Sequence, residues 1–300
     1  MLISKSVLDH LVSLDTLACL DSLIWLQTGK EVAKRFAYNQ SNVSRQQKNC
    51  CVVLGITLAK KDKEWVINQP NDLIRMERLV HQQARFQGLR SLRMEATYWS
   101  APLLCIPEPE GWIVGLSNIV GIERNHQLVR EAIIDAWLCS APDLPDHNDP
   151  DLTSIRLCEM PIHLMVSKNH PLLRNKLNLS WDDITNFPSL ALPDGAYPKT
   201  QIALQKLGLW NNPIRMSRYK RELWEGQSEA DVTIGYGTCL SIAASQTDQV
   251  ALQITLPFCA GEALVVRRER RDHPQTKELI NVIRQRIQAL AKSQPEIQLV

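Results

Sequence analysis

Thr28-Gly-Lys-Glu-Val-Ala-Lys-Arg-Phe36, then Ala37-Tyr-Asn-Gln40, then Ser41-Asn-Val-Ser-Arg-Gln-Gln-Lys-Asn-Cys50, reads as two short helices around a four-residue break. Thr28 followed three residues later by Glu31 is a capping box, which starts the first helix near Gly29 and runs it to Phe36 with Val32, Ala33 and Phe36 inward. Asn39 is placed to cap the second helix. Its inward residues Val43, Gln47 and Cys50 leave Gln40, Ser41, Asn42, Ser44, Arg45 and Lys48 on the outer side. Amides, hydroxyls and guanidinium groups of this kind read base edges and hold phosphates, so the pair is read as a helix-turn-helix.

Charge supports that reading. Between Thr28 and Lys63 the basic residues are Lys30, Lys34, Arg35, Arg45, Lys48, Lys60, Lys61 and Lys63, and the acidic ones are Glu31 and Asp62, a net +6 against +2 for the 300-residue chain. The remainder is therefore net acidic, the segregation expected of a DNA-binding head on a neutral or acidic body. Candidate DNA contacts are Thr28, Lys30, Gln40, Ser41, Asn42, Ser44, Arg45 and Lys48 on the helices, with Lys60, Lys61 and Lys63 beyond them.

Outward from this pair, a bare helix-turn-helix has no core. Asp15 to Leu26 carries the apolar helical pattern needed to cover it. Gly55 suits a helix C-cap, and Ile56 to Leu58 and Trp65 to Ile67 read as two short strands around a basic tip, a wing placed against the phosphate backbone. Pro70 opens a helix from about Asn71 to Phe86. There Leu73, Ile74, Met76, Leu79, Val80 and Ala84 form one apolar stripe, a dimer seam centred on Leu73, Met76, Val80 and Ala84.

From Leu89 the pattern becomes strands alternating with helices, the mark of a parallel sheet in an α/β fold. Predicted strands are Leu92 to Ala96, Ile119 to Ile122, Ala136 to Cys139, Ile162 to Val166, Ser189 to Leu192, Ile214 to Tyr219, Asp231 to Ile234, Leu252 to Thr255 and Ala263 to Arg267. Predicted helices are Gln127 to Ile134, Trp181 to Thr185, Lys199 to Leu207, Glu222 to Gly226, Thr238 to Ala244 and Gln275 to Leu290. The length suits two or three domains, and a 44% hydrophobic content makes the chain globular. The first residues lack a basic stretch followed by an apolar run with a cleavage site, and nothing approaches a membrane span. A cytoplasmic protein without membrane contact is expected.

The eight cysteines show no metal-ligand spacing and sit mostly in apolar runs, which predicts reduced core residues. Asp143, Asp146, His147, Asp149 and Asp151 lack the glycine and terminal glutamate of a calcium loop and read as a solvated loop; no metal or cofactor is expected. Cys239, next to a helix start after Gly237, is the one thiol placed for nucleophilic or redox chemistry, but no partner histidine accompanies it and it reads as core.

Ser44-Arg-Gln46 with Leu54-Gly55 behind it, Asp149-Pro-Asp-Leu152, Asn169-His-Pro-Leu172 followed by Leu179-Ser-Trp-Asp-Asp-Ile184, and Gly235-Tyr-Gly237 occur in a characteristic order and spacing. Through them almost the whole chain resembles a LysR-type transcriptional regulator. The resemblance implies a winged helix-turn-helix domain over 1–69, a linker helix over 70–88 and a two-lobed, periplasmic-binding-protein-like α/β domain over 89–300. Lobe I would span about 89–161 and 263–300, and lobe II about 162–262. It further implies double-stranded DNA as partner, a homodimer assembling into a homotetramer, contact with RNA polymerase, and an effector in the inter-lobe cleft near Thr97, Tyr98, Trp99, Ser100, Asn125, His126, Ala196, Tyr236 and Gly237. Their hydroxyls, amide and helix-start donors suit a small carboxylate. Pro102, Pro107, Pro109 and Gly111 are expected to shorten or restart the helix that leaves the effector loop, and Tyr98 and Trp99 to narrow the pocket or fit it to an aromatic ligand. The competing readings are a two-lobed binding protein or enzyme whose head serves assembly only, and a regulator without a small-molecule response.

Overall fold

The computed structural model describes residues 13–36, 39–61, 64–175, 179–230, 232–245 and 248–300; Lys63 and Asp62 at the wing tip and Asp231 lie outside the described residues. In the head, α1 (Leu14–Leu26) starts at Ser13, whose Oγ accepts from Thr16 N at 3.2 Å, and stops at Gln27, which turns left-handed with φ 69°. Helix α2 (Gly29–Phe36) is opened by Thr28, whose Oγ1 accepts from Glu31 N at 3.1 Å. Helix α3 (Gln40–Leu54) begins after an extended Asn39 whose side chain makes no capping bond, and ends at Gly55 in the left-handed region, φ 63°. Leu17, Leu20, Ile24, Val32, Val43 and Cys50 are buried together between the three helices. That burial holds a helix pair too short to be stable alone.

The wing is an antiparallel pair, β1 (Leu58–Lys61) and β2 (Glu64–Ile67), with Leu58 opposite Ile67 and Lys61 opposite Glu64. The first strand lies two residues further along than the sequence predicts: Ile56 and Thr57 are outside the ladder, and Ala59, Lys60 and Lys61 continue it from Leu58.

Helix α4 (Asp72–Phe86) is capped by Asn71, whose Oδ1 accepts from Ile74 N at 3.0 Å. It packs the reverse of an ordinary amphipathic helix. Its charged side is buried: Arg78 Nε donates to Asp21 at 2.9 Å and its Nη1 to Glu131 at 2.5 Å, while Arg85 donates to Asp135 twice at 2.8 Å and Gln82 once at 3.1 Å. Each buried charge is thereby paired, without which its desolvation would far outweigh the packing gained. Of the expected apolar stripe, Ile74 turns inward, Leu79 and Ala84 are half-buried, and Leu73, Met76 and Val80 remain 51%, 59% and 62% exposed.

The body is built on an eight-stranded sheet with the order β10 (Gly235–Gly237), β7 (Cys158–Ser167), β11 (Gln249–Arg267), β5 (Ala136–Ala141), β3 (Leu92–Ala96) and β4 (Trp112–Val114). Strand β6 (Leu152–Arg156) pairs with β11, and β12 (Gln298–Leu299) with β7. Strand β3 runs parallel to both β4 and β5, but β11 is antiparallel to β5, β6 and β7, and β7 to β10 and β12. The sheet is therefore mixed rather than the parallel sheet that the sequence pattern suggests; β8 (Leu190–Ala191) and β9 (Asn212–Pro213) form a separate parallel pair. Besides the cluster that runs from the head into the body through Leu128, Ile133, Trp137 and Val265, two apolar cores lie in the body: one around Met94, Leu138, Leu264 and Ile283, the other around Leu164, Leu190, Leu204 and Ile234. Strand β11 joins them as one 19-residue strand, pairing with β7 up to Ala260 and with β5 from Gly261 onward. The sequence reading divides it into Leu252 to Thr255 and Ala263 to Arg267, because Pro257, Cys259 and Gly261 interrupt its pattern; register shifts between Ala251 and Cys259 absorb the irregularity.

Four local predictions are corrected. Ile119 to Ile122 and Ile214 to Tyr219 are not strands but two crossing segments joined by a single bridge, Ile119 to Arg218. The helix predicted at Gln127 begins four residues earlier as α5 (Glu123–Arg130). That predicted at Glu222 is a short turn at Arg221–Leu223 followed by α8 (Glu225–Ala230), numbered after α6 (Trp181–Thr185) and α7 (Pro198–Gln205). As the prolines lead one to expect, the helix leaving the effector loop is shortened: it is one π-helical turn, Ala101–Cys105, with Pro102 in it, and of the two expected outcomes the restart at Pro109 does not occur.

Candidate functional site: the outer face of the head and the inter-lobe cleft

On α3, Gln40, Ser41, Ser44, Arg45 and Lys48 are exposed and Asn42 is half-buried, its Oδ1 accepting from Arg45 Nη2 at 2.9 Å. Burial of Val43, Cys50 and Leu54 on the opposite side fixes which face points out. Thr28 and Lys30 are exposed at the start of α2, and Lys60 and Lys61 on the wing; Lys60 Nζ lies 4.9 Å from the Trp65 ring centre. Arg35, counted with the basic residues of the head, points the other way. It donates to the carbonyls of Val114 and Gly115 and pairs with Glu108 at 3.0 Å.

The head is thus joined to the body. Trp25 is fully buried, and its Nε1 donates to Glu95 Oε2 at 2.6 Å. Arg124 donates to the carbonyls of Ile24 and Trp65 at 2.9 and 3.2 Å. Glu64 of the wing accepts from Arg218 Nε and Nη2 at 2.8 and 2.7 Å, a two-pronged pair.

Arg218 precedes Tyr219, which belongs to the cleft. There a cavity of about 140 Å³ opens between the lobes. Thr97, Tyr98, Trp99, Tyr236 and Gly237, named from the sequence, line it. Tyr98 stacks on Tyr219 with ring centres 3.4 Å apart and meets Trp99 edge-on at 4.8 Å. The Tyr219 hydroxyl donates to Glu225 Oε2 at 2.5 Å, and burial holds both the phenol and the carboxyl above their ordinary pKa. Behind Trp99, Glu262 accepts from Trp99 Nε1 at 3.1 Å and from Ser100 Oγ at 2.6 Å. Burial pushes its carboxyl up to about 7.

Ser100, Asn125, His126 and Ala196 stand outside this lining. Ser100 is turned to Glu262 and Thr97. Because α5 starts at Glu123, Asn125 and His126 lie on the buried side of a helix rather than in a loop. Asn125 Nδ2 donates to Gly121 O at 3.0 Å, and the His126 ring sits edge-on to Trp137 at 5.2 Å, where burial depresses its pKa to about 4 and keeps it neutral. The Ala196 carbonyl accepts from Ile122 N at 2.9 Å, bracing one crossing segment. Thr200, Trp210, Tyr219 and Trp224 also line the cavity and are not among the cleft residues read from the sequence. Thr200, Tyr219 and Trp224 fall inside predicted elements and Trp210 between two, and nothing in the local pattern marks them as facing one cleft.

The start of α7, where an anion would be held by free backbone donors, is occupied by the chain itself. Asp143 accepts from Lys199 N at 2.7 Å, from Thr200 N at 3.1 Å and from Thr200 Oγ1 at 2.5 Å. The other acidic loop residues also hold structure: Asp149 pairs with Arg130 at 2.5 Å and accepts from the backbone of Asp151 and Leu152. Among the described residues no group of side chains is arranged to hold a metal ion, and no helix is long and apolar enough to cross a membrane. Cys239 is buried against Met160 sulfur at 3.8 Å, and desolvation pushes its thiol up to about 11, so it is not a thiolate at neutral pH.

Residues 120–288 match the family model of the LysR substrate binding domain. No curated protein matches the chain. Among solved structures, a full-length, singly substituted OxyR from Pseudomonas aeruginosa is similar with a TM-score of 0.56 at 14% identity, covering 92% of this chain and 95% of that one. Full-length CbnR complexed with its target DNA gives 0.52 at 14% identity, covering 91% and 99%. Full-length BenM gives 0.50 at 17% identity, covering 93% and 98%. At these identities the likeness is one of fold.

Proposed function

Since the chain belongs to the LysR family of transcriptional regulators, we propose that it binds double-stranded DNA through α3 and the wing, as a dimer, and responds to a small molecule in the inter-lobe cleft. The observation that carries this reading is the exposed row Gln40, Ser41, Ser44, Arg45 and Lys48 on a helix whose other face is buried. Among the described residues these side chains bond to nothing that would explain the row as a structural device, apart from the pair between Arg45 and Asn42. CbnR, of similar fold, has been solved on its target DNA. The role of the head as a mere assembly module has no comparable support, and neither has catalysis, for which the best-placed thiol, Cys239, is buried and protonated.

The test is binding to a duplex selected from a random pool, measured against salt. Affinity should fall steeply between low and physiological ionic strength as condensed counterions are released. Arg45→Ala and Lys48→Ala should each weaken binding, and removing one phosphate-binding cation should lower the salt slope by about 1. Salt-independent binding, or wild-type affinity in both variants, would show that the head does not read DNA.

A further inference from the structure

The cleft has a composition that specifies its occupant. Seven of its walls are aromatic: Tyr98, Trp99, Tyr197, Trp210, Tyr219, Trp224 and Tyr236. Among the described residues that line it there is no lysine, arginine or histidine, and Asp143 is the sole charged residue. That carboxylate is the internal anion of α7, with three donors already on it. The hydroxyls of the lining are engaged within the chain as well. Thr97 Oγ1 pairs with Ser100 Oγ at 2.6 Å, Ser241 Oγ donates to Thr238 O at 3.0 Å, and the Tyr219 hydroxyl is held by Glu225.

Resting on the reading of this cleft as the effector site, we propose that it selects an uncharged, single-ring aromatic molecule rather than the small carboxylate that the sequence suggests. The volume fits: about 140 Å³ here compares with the apolar cavity of about 150 Å³ that holds benzene in an engineered protein. An arene ring meets the Tyr98–Tyr219 stack and the tryptophan walls by offset or edge-on contact, the geometries that aromatic pairs prefer. A carboxylate entering the same space would be stripped of water, would find the start of α7 taken, and would face the charge of Asp143 with no cation to offset it. An ammonium ion would also lose its water, and the one carboxylate in the lining already accepts three of the about four hydrogen bonds its oxygens can take, all from α7.

The experiment is calorimetric titration of the full-length protein at pH 7.5 with four probes of like shape: toluene, phenol, benzoate and benzylammonium. Toluene and phenol should bind saturably, and benzoate and benzylammonium at least tenfold more weakly. Benzoate binding as tight as phenol, benzylammonium binding tighter than toluene, or no binding of any arene would each overturn the proposal. Ala260→Leu, which puts bulk into the cavity wall, should abolish the toluene heat while circular dichroism shows the fold retained. Asp143→Asn removes the resident charge and should raise benzoate affinity relative to toluene affinity at least tenfold. If that ratio stays at the wild-type value, the charge argument fails. Operator affinity is measured in parallel. Toluene and phenol binding without any change in DNA affinity upholds the ligand class and refutes the effector role on which it was founded. Loss of DNA binding altogether leaves the titrations standing and refutes the regulator reading instead.

Discussion

Glu262 is a buried carboxyl whose removal should change how stability depends on pH. It lies on β11 directly behind Trp99, 1% exposed, with a pKa of about 7 against an ordinary 4.5, and the cause is burial, only partly opposed by the bonds from Ser100 and Trp99. Below pH 4.5 the group is protonated both folded and unfolded, and the shift costs nothing. As pH rises from 4.5 to 7 the unfolded chain releases its proton first, so the folded state loses stability over that window. Above 7 both forms are ionised and the loss is constant. The gap corresponds to about 3 kcal/mol. Glu262→Gln keeps the shape and the bonds: its amide oxygen accepts from Trp99, its NH₂ donates to Ser100 Oγ, and the Ser100 hydroxyl turns to Thr97, already 2.6 Å away. Urea unfolding of wild type and variant at half-unit steps from pH 4 to 8 gives the difference directly, since all other titrating groups cancel. The variant should gain about 3 kcal/mol on wild type across that range, or on the order of 5 °C in Tm. A difference that stays flat with pH would refute the claim that this carboxyl is held neutral by its surroundings.

Asp135 accepts four hydrogen bonds, from Arg85, Gln82 and the Arg93 backbone, so Asp135→Ala leaves the buried Arg85 cation with the Ala132 carbonyl but without its counter-charge and should cost about 3–5 kcal/mol by chemical denaturation. Leu73→Glu with Val80→Glu places charges on the exposed side of α4 and should give monomers by light scattering without lowering the monomer's stability; an unchanged mass would remove α4 as the seam. A Cβ at Gly261 would collide with the Cys158 carbonyl and lie 3.0 Å from Glu159 Cα, so Gly261→Ala should destabilise the chain by about 3 kcal/mol in the same denaturation assay, since β11 cannot shift without disturbing both lobes.

The head was legible because its signals are local. A threonine three residues before a glutamate, a glycine after Leu54 and an apolar spacing each depend on neighbours in sequence, and α2 and α3 begin where those signals place them. The orientation of α4 was not legible, since an apolar stripe at Leu73, Met76 and Val80 says nothing of Asp21 and Asp135, which draw its arginines inward from more than fifty and about fifty residues away. For the cleft, the loop after β3 was found because it follows a well-patterned strand. Tyr219 and Trp210 carry no such signal, because a local pattern does not say which side of a segment faces a cleft, and His126 is buried on a helix rather than in a loop because that helix begins four residues earlier than its pattern suggests. The occupied start of α7 had no sequence signal at all, as Asp143 and Lys199 are 56 residues apart.

The pairing of Glu64 with Arg218, next to the residue that stacks on Tyr98, gives the wing and the cleft a direct physical connection. Whatever displaces Tyr219 must also work against a two-pronged ion pair anchored in the head, and whatever reorients the wing on a duplex must tug on the same stack. Linkage is reciprocal: if an occupant of the cleft alters operator affinity by some factor, the operator alters affinity for that occupant by the same factor. DNA is then itself an effector of the cleft, and the concentration at which a ligand acts depends on whether the protein is already seated on its site.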